Sequence, residues 1–154
     1  YLDDKIKALA LKQVYDVEPP YKFAVQAVEG GYVSSSMDSS DGLAYTLNEM
    51  ASQSNKSFII EELPVSQTIY KMLYRSKRNI YDDVMFGGEE YQMVLTVELN
   101  NAPFIEKLAR RHGIIIHKIG HVVSGKSGVF FSNNDQKQKV IPKLGWINLG
   151  FHTV

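Results

Sequence analysis

The chain has 154 residues, of which 44% are hydrophobic and 22% charged, with no cysteine and a formal net charge of zero. These values predict one soluble domain with its own core, and they exclude a global basic field, a disulfide framework and thiolate metal sites. No apolar run approaches the roughly 20 residues that span a bilayer. We therefore expect a cytoplasmic protein that binds neither nucleic acid nor membranes.

The first stretch of the chain predicts an amphipathic helix. Apolar residues recur at helical spacing over residues 1–16, and the pair Pro19-Pro20 ends this pattern and makes a rigid connector. The chain opens at Tyr1, inside the helix pattern and without an initiator Met. We therefore expect residues 1–18 to connect an upstream domain to a second domain that spans residues 19–154.

The remainder of the chain alternates predicted helices and strands. Helical spacing of apolar residues and short apolar or alternating runs between breakers distinguish the two. Helices are expected over residues 21–28, from about residue 41, and over residues 66–76 and 102–112, with a short helix or a turn over residues 80–86. Strands are expected over residues 32–38, 57–63, 91–98, 114–123 and 129–132, with a partly extended tail over residues 139–154. This order predicts an α+β fold with helices packed on a sheet.

The first motif that carries chemistry is Ser-Met-Asp-Ser-Ser-Asp-Gly-Leu at residues 36–43. Asp38 falls at the end of a predicted strand and Asp41 at the start of the next helix, so the two carboxylates repel each other unless a cation lies near them. Mg²⁺ would relieve this repulsion and bridge to phosphate. Ser40 adds a hydroxyl, and Gly42 lets the backbone approach a ligand closely. The alternative is structural, because Asp is a favoured helix N-cap and Asp-Gly a common turn.

The second motif is Gly-Gly-Glu-Glu-Tyr at residues 87–91. The glycines permit left-handed backbone and close approach, and Glu89 lies just ahead of a predicted strand, where a ligand could be met. The alternative is a hairpin-like turn with solvated acidic side chains.

Together, in this order and about fifty residues apart, the two motifs resemble the carboxy-terminal half of the thiamine-monophosphate kinase family, in the aminoimidazole ribonucleotide (AIR) synthetase-like superfamily. The family pattern is approximately Met-Ile-Asp-x-Ser-Asp-Gly-Leu, followed by Gly-Gly-Glu-Asp-Tyr-Glu-Leu. Residues 119–125 weakly resemble a third family segment, Ile-Gly-x-Val. The resemblance extends over residues 19–146 and implies a mixed or antiparallel sheet of about four central strands, ferredoxin-like, with helices on one face.

The resemblance also implies an activity in thiamine biosynthesis. Enzymes of this family transfer the γ-phosphate of ATP to thiamine monophosphate and give thiamine diphosphate, by direct in-line transfer assisted by Mg²⁺. Carried over by position, Asp38 and Asp41 would bind Mg²⁺ and Ser40 would contact a phosphate of ATP. Glu89 would contact the pyrimidine end of the substrate, and Trp146 would close on it. No side-chain nucleophile is implied.

The chain departs from the family in three places. Glu90 replaces a customary Asp, and the tail lacks the usual Asp-His-Phe ending, so Phe151 is an alternative to Trp146. The amino-terminal ATP-binding domain, through which family homodimers form, is missing from this sequence, and we expect the chain alone to be inactive. Two alternatives stay open: a superfamily enzyme with a different acceptor, and a non-catalytic domain for metal binding or assembly.

Overall fold

Helices and strands follow one another in the order that the sequence predicts. The computed structural model describes residues 4–89, 91–132 and 138–145. The helices of this part are α1 (Asp4–Tyr15), α2 (Tyr21–Glu29), α3 (Leu43–Ser54), α4 (Gln67–Arg75), α5 (Ile80–Phe86) and α6 (Ala102–Arg111). Its strands are β1 (Ser35–Ser39), β2 (Ser57–Ile60), β3 (Gln92–Thr96), β4 (Gly120–Val123), β5 (Gly128–Ser132) and β6 (Gln138–Val140). The predicted α+β class is confirmed.

Four strands form a mixed sheet in the order β4-β2-β5-β6. The central pair, β2 and β5, is parallel, and each edge strand is antiparallel to its neighbour. All four residues of β2 are buried, which explains why this segment reads as a continuous apolar run in the sequence. The prediction of a mixed sheet of about four central strands is therefore confirmed.

The weak third resemblance begins at a close contact between strands. Gly120 opens β4, and a Cβ on it would overlap the main-chain carbonyl of Ile59 in β2. Glycine at this position therefore allows β4 to approach β2, and its role in the structure is one of packing.

Strands β1 and β3 form a separate antiparallel pair, with Ser35 opposite Thr96 and Ser39 opposite Gln92. The sequence predicts both strands but does not predict that they pair with each other, because periodicity marks a strand without naming its partner. Since β1 leads into the first motif and β3 follows the second, this pairing brings the two motifs together.

The core has two clusters of buried side chains. The larger one lies around α3, which packs against β1, β5 and α5, and it includes Leu47, Met85 and Val129. The smaller one joins α2 to α6. Strand β3 contributes to both, with Val94 packed against the larger cluster and Leu95 against the smaller. The motif-bearing strands are thus anchored on well-packed elements.

The predicted strand over residues 114–123 is wrong in its first half. Regular pairing begins at Gly120, and Ile115 upstream is 82% exposed. The partner strand β2 ends at Ile60, opposite Gly120, and beyond it the Glu61 and Glu62 N–H groups both donate to the Ile119 carbonyl, at 2.8 and 3.2 Å, instead of continuing a regular ladder. An apolar run forms a strand only where a neighbour supplies hydrogen bonds.

None of the helices in the described ranges combines the length and apolar character needed to cross a bilayer.

Candidate functional site

The two sequence motifs meet at the open end of the β1–β3 pair. Beyond the ladder, the Glu89 N–H donates to the Ser40 carbonyl at 2.8 Å and the Tyr91 N–H donates to the Ser39 carbonyl at 3.2 Å. Segments about fifty residues apart in sequence are therefore joined backbone to backbone. This arrangement places the predicted residues Ser40 and Glu89 in one region of the surface.

Gly42 is required by both its conformation and its surroundings. Its φ of 103° and ψ of 152° lie in a backbone region that residues with a side chain rarely adopt. A Cβ on Gly42 would lie 2.5 Å from the Gly87 carbonyl oxygen and 3.5 Å from that of Met85. The sequence predicts a close approach of the backbone to a ligand at Gly42, and in the structure the residue also allows a close approach of the first motif to the second.

The beginning of α3 is organised by the backbone and by Thr46. Gly42 occupies the N-cap position with no side-chain capping bond, while its carbonyl accepts from the Thr46 N–H at 3.1 Å. The Thr46 hydroxyl donates to the Asp38 carbonyl at 3.0 Å and so ties the end of β1 to the helix. The N-cap alternative for Asp41 is wrong, since its carboxylate does not cap α3.

The three predicted acidic residues, Asp38, Asp41 and Glu89, are all exposed. In residues 4–89, 91–132 and 138–145, no Lys, Arg or His forms an ion pair with any of them. Within the same ranges, no three His, Asp or Glu side chains converge closely enough to hold a metal ion by themselves. Oxygen ligands without a protein cation fit Mg²⁺, which characteristically takes one or two carboxylates and completes its shell with water and substrate phosphates.

The backbone around the second motif adopts an uncommon conformation. Glu89 and Tyr91 have φ values of 64° and 49°, which place two non-glycine residues in the left-handed region. The sequence suggested that the preceding glycines would take this conformation, but Gly87 has a φ of −64°. Such residues cost free energy and concentrate at ligand sites, so the conformation of Glu89 supports its interpretation as a contact residue. The turn joins α5 to β3 and is therefore not a hairpin, although Glu89 is exposed, as that alternative also expected.

Residues 141–145, here called the 141–145 segment, lie along α3 and reach the first motif. Ile141 is buried and its N–H donates to the Val129 carbonyl at 2.9 Å. Lys143 pairs with Glu49, and its ammonium lies 4.9 Å from the ring centroid of Tyr45. The hydrogen bond to the Glu49 carboxylate raises the pKa of Lys143.

At the end of this segment, Gly145 lies against the first motif. A Cβ on Gly145 would overlap the carbonyl oxygen of Asp41 and lie 3.1 Å from the Cβ of Tyr45. The sequence pattern indicates only a partly extended tail in which Gly145 is a breaker, and it assigns no site role to Lys143 or Gly145. A glycine directly before the single tryptophan was the available signal.

Three predicted positions lie outside the described residues. These are Glu90 of the second motif and the two candidates for the closing aromatic, Trp146 and Phe151.

The structure is an α+β domain in which a pair of strands brings two acidic, glycine-containing motifs together. These features define a class of protein domain. The chain belongs to the family described as AIR synthase related protein, C-terminal domain, whose model matches residues 4–133. Within that class, the chain is 37% identical over 139 residues to the thiamine-monophosphate kinase of Nitrosopumilus maritimus (strain SCM1). The match covers 90% of this chain and 43% of that protein, so the chain spans less than half the length of this relative.

Two solved structures share the fold of this chain. AaThiL complexed with AMPPCP and TMP is 27% identical, with a TM-score of 0.58, and the match covers 92% of this chain and 45% of that one. The hydrogenase maturation protein HypE in complex with ATP is 20% identical, with a TM-score of 0.65 over 82% of this chain and 41% of that one. The second likeness shows the shared fold alone.

Proposed function

We propose that this chain is the C-terminal, acceptor-side half of a thiamine-monophosphate kinase. The complete protein would transfer the γ-phosphate of ATP to thiamine monophosphate and release ADP and thiamine diphosphate. The observation that carries the proposal is the hydrogen bond from the Glu89 N–H to the Ser40 carbonyl, which joins the two family motifs in space. The similarity to a curated thiamine-monophosphate kinase supports the same reaction.

Each predicted residue has a role that its position permits. Asp38 and Asp41 would hold Mg²⁺, which when bound neutralises charge on the phosphates. The Ser40 hydroxyl would donate to a phosphate oxygen of ATP, near the positive end of the α3 dipole. The Glu89 carboxylate would accept a hydrogen bond from the pyrimidine end of the acceptor. Trp146 is proposed as the aromatic that closes on the acceptor, with Phe151 as the alternative.

The chemistry requires no nucleophile from the protein. A phosphate oxygen of thiamine monophosphate attacks the γ-phosphorus of ATP, and the bond from that phosphorus to the β,γ-bridging oxygen breaks as ADP leaves. The contribution of this chain is to orient the two phosphates and to exclude misaligned binding, which is the main requirement of phosphoryl transfer.

The test uses the product of the complete reading frame. Asp38→Asn and Asp41→Asn keep side-chain size and remove one charge each. We expect each to lower kcat/KM for thiamine-monophosphate phosphorylation by about 10² or more, because a preorganised charge at the phosphates is lost. Glu106→Gln, an exposed acid on α6, is the matched control and should leave activity unchanged. Full activity in both Asn variants would contradict the proposed roles.

The chain alone is proposed to be inactive. It spans 43% of its curated relative, so the rest of the nucleotide site would come from the upstream part, together with the interface of a homodimer. The 154-residue chain, incubated with ATP, Mg²⁺ and thiamine monophosphate, should form no thiamine diphosphate. Formation of product would overturn this part of the proposal. A cytoplasmic location belongs to the same proposal.

A superfamily enzyme with a different acceptor is the second candidate function, favoured by the fold shared with HypE. The two candidates differ in ligand. Under the kinase proposal, thiamine monophosphate raises the melting temperature of the complete protein and aminoimidazole ribonucleotide precursors do not. The opposite result would favour the second candidate, and no response to either ligand would favour a metal-binding or assembly domain.

A further inference from the structure

We propose that Gly145 is a positioning residue for Asp41, and that the 141–145 segment holds the first motif in the geometry that binds a divalent cation. This inference rests on the proposed function, because it assigns the segment to the Mg²⁺ site of that reaction. It concerns only how this chain fixes one of its own carboxylates.

Two distant parts of the chain contact the consecutive residues Asp41 and Gly42. Gly42 lies against the Gly87 carbonyl, at a separation that leaves no room for a Cβ. Gly145 lies against the Asp41 carbonyl, again with no room for a Cβ. The backbone that carries the Asp41 carboxylate is therefore in contact with two distant residues: Gly87, which is 45 residues after Gly42, and Gly145, which is 104 residues after Asp41.

The 141–145 segment is itself anchored at several points along α3. Ile141 is 1% exposed and belongs to the larger core cluster. The Asn48 side-chain amide donates to the Ile141 carbonyl at 3.2 Å and to the Ala44 carbonyl at 2.8 Å. The ion pair between Lys143 and Glu49 adds a contact nearer to Gly145. A core anchor at one end and a glycine contact at the other give the segment a defined path.

The position of Asp41 depends on these backbone contacts because its side chain has no other support in the described part of the chain. Its carboxylate is exposed, takes part in no ion pair and does not cap α3. A shift of the Asp41 carbonyl would therefore move the carboxylate with it. Displacement of a metal-binding or phosphate-orienting group by about 1 Å can cost on the order of 10² in rate.

The decisive variant is Gly145→Ala, in the product of the complete reading frame. The added methyl group has to displace the Asp41 carbonyl or the 141–145 segment. We expect the Mg²⁺ concentration for half-maximal activity to rise about tenfold, as for loss of a group that orients a metal ligand. Leu144→Ala is the matched control, because Leu144 is 55% exposed in the same segment and should leave the Mg²⁺ dependence unchanged.

Two measurements do not depend on catalysis. Calorimetric titration with Mg²⁺ alone should show about tenfold weaker binding in Gly145→Ala. Amide exchange by NMR should accelerate at Thr46, whose N–H donates to the Gly42 carbonyl, while amides of α2 and α6 keep their rates. Unchanged Mg²⁺ binding would overturn the inference, as would uniform acceleration of all amides, which indicates general destabilisation. Failure of the proposed function would give a different result: the protein without any substitution would bind Mg²⁺ but would not phosphorylate thiamine monophosphate.

Discussion

Gly42→Ala should destabilise the domain more than its small change in volume suggests. An L-residue at a φ of 103° and ψ of 152° costs about 1–3 kcal/mol. The new Cβ would also lie 2.5 Å from the Gly87 carbonyl oxygen, against 3.4–4 Å for an ordinary van der Waals contact of a Cβ. Movement of Gly87 to relieve this overlap would strain the nearby bond between Glu89 and Ser40, which contributes about 1 kcal/mol.

These contributions together give a loss of about 2–4 kcal/mol, a large part of the roughly 5–15 kcal/mol that stabilises a typical domain. In urea, the unfolding midpoint of the 154-residue chain should fall by about 1–2 M. Gly31→Ala separates the two causes, because Gly31 has a φ of 67° with no atom within 4 Å of an added Cβ. The free energy of unfolding of Gly31→Ala should fall only by the cost of a left-handed conformation for a residue with a side chain, about 1 kcal/mol. Equal losses in the two variants would refute the argument that Gly42 is needed for contact between the motifs.

Two further predictions concern buried hydroxyl groups without a hydrogen-bond partner in the described part of the chain, those of Ser39 and Tyr81. Ser39→Ala should leave the free energy of unfolding unchanged within about 1 kcal/mol or raise it, because no hydrogen bond is lost; a larger loss in urea denaturation would reveal a bond to Ser39. Burial raises the pKa of Tyr81, with a smaller contribution from Asp82, so the unfolded chain releases this proton more readily. The contribution of the protonated Tyr81 to the stability of the folded state is fully present below the ordinary tyrosine pKa of about 10. It is lost as the pH rises through the higher pKa of the folded state. Tyr81→Phe should therefore reduce the fall in stability above about pH 10, and an unchanged pH profile would contradict this assignment.

The candidate site was predictable only where sequence neighbours create the chemistry. Asp38, Ser40 and Asp41 are close in sequence, so their location at the end of a strand and the start of a helix followed from local pattern. The pairing of β1 with β3 did not, since it depends on which strand supplies the hydrogen bonds. Gly145 could not be assigned either, because its role is a contact with a carbonyl 104 residues earlier.

The sequence by itself determined the α+β class, the order of helices and strands and the two motifs that resemble a kinase family. These properties depend on side-chain periodicity and on residue types adjacent in the chain. Only the tertiary structure decided that the motif strands form their own pair, that regular pairing of β4 begins only at Gly120, and that the 141–145 segment returns to Asp41. Such contacts arise from hydrogen bonding and packing between distant segments, whose partners are selected by the whole fold.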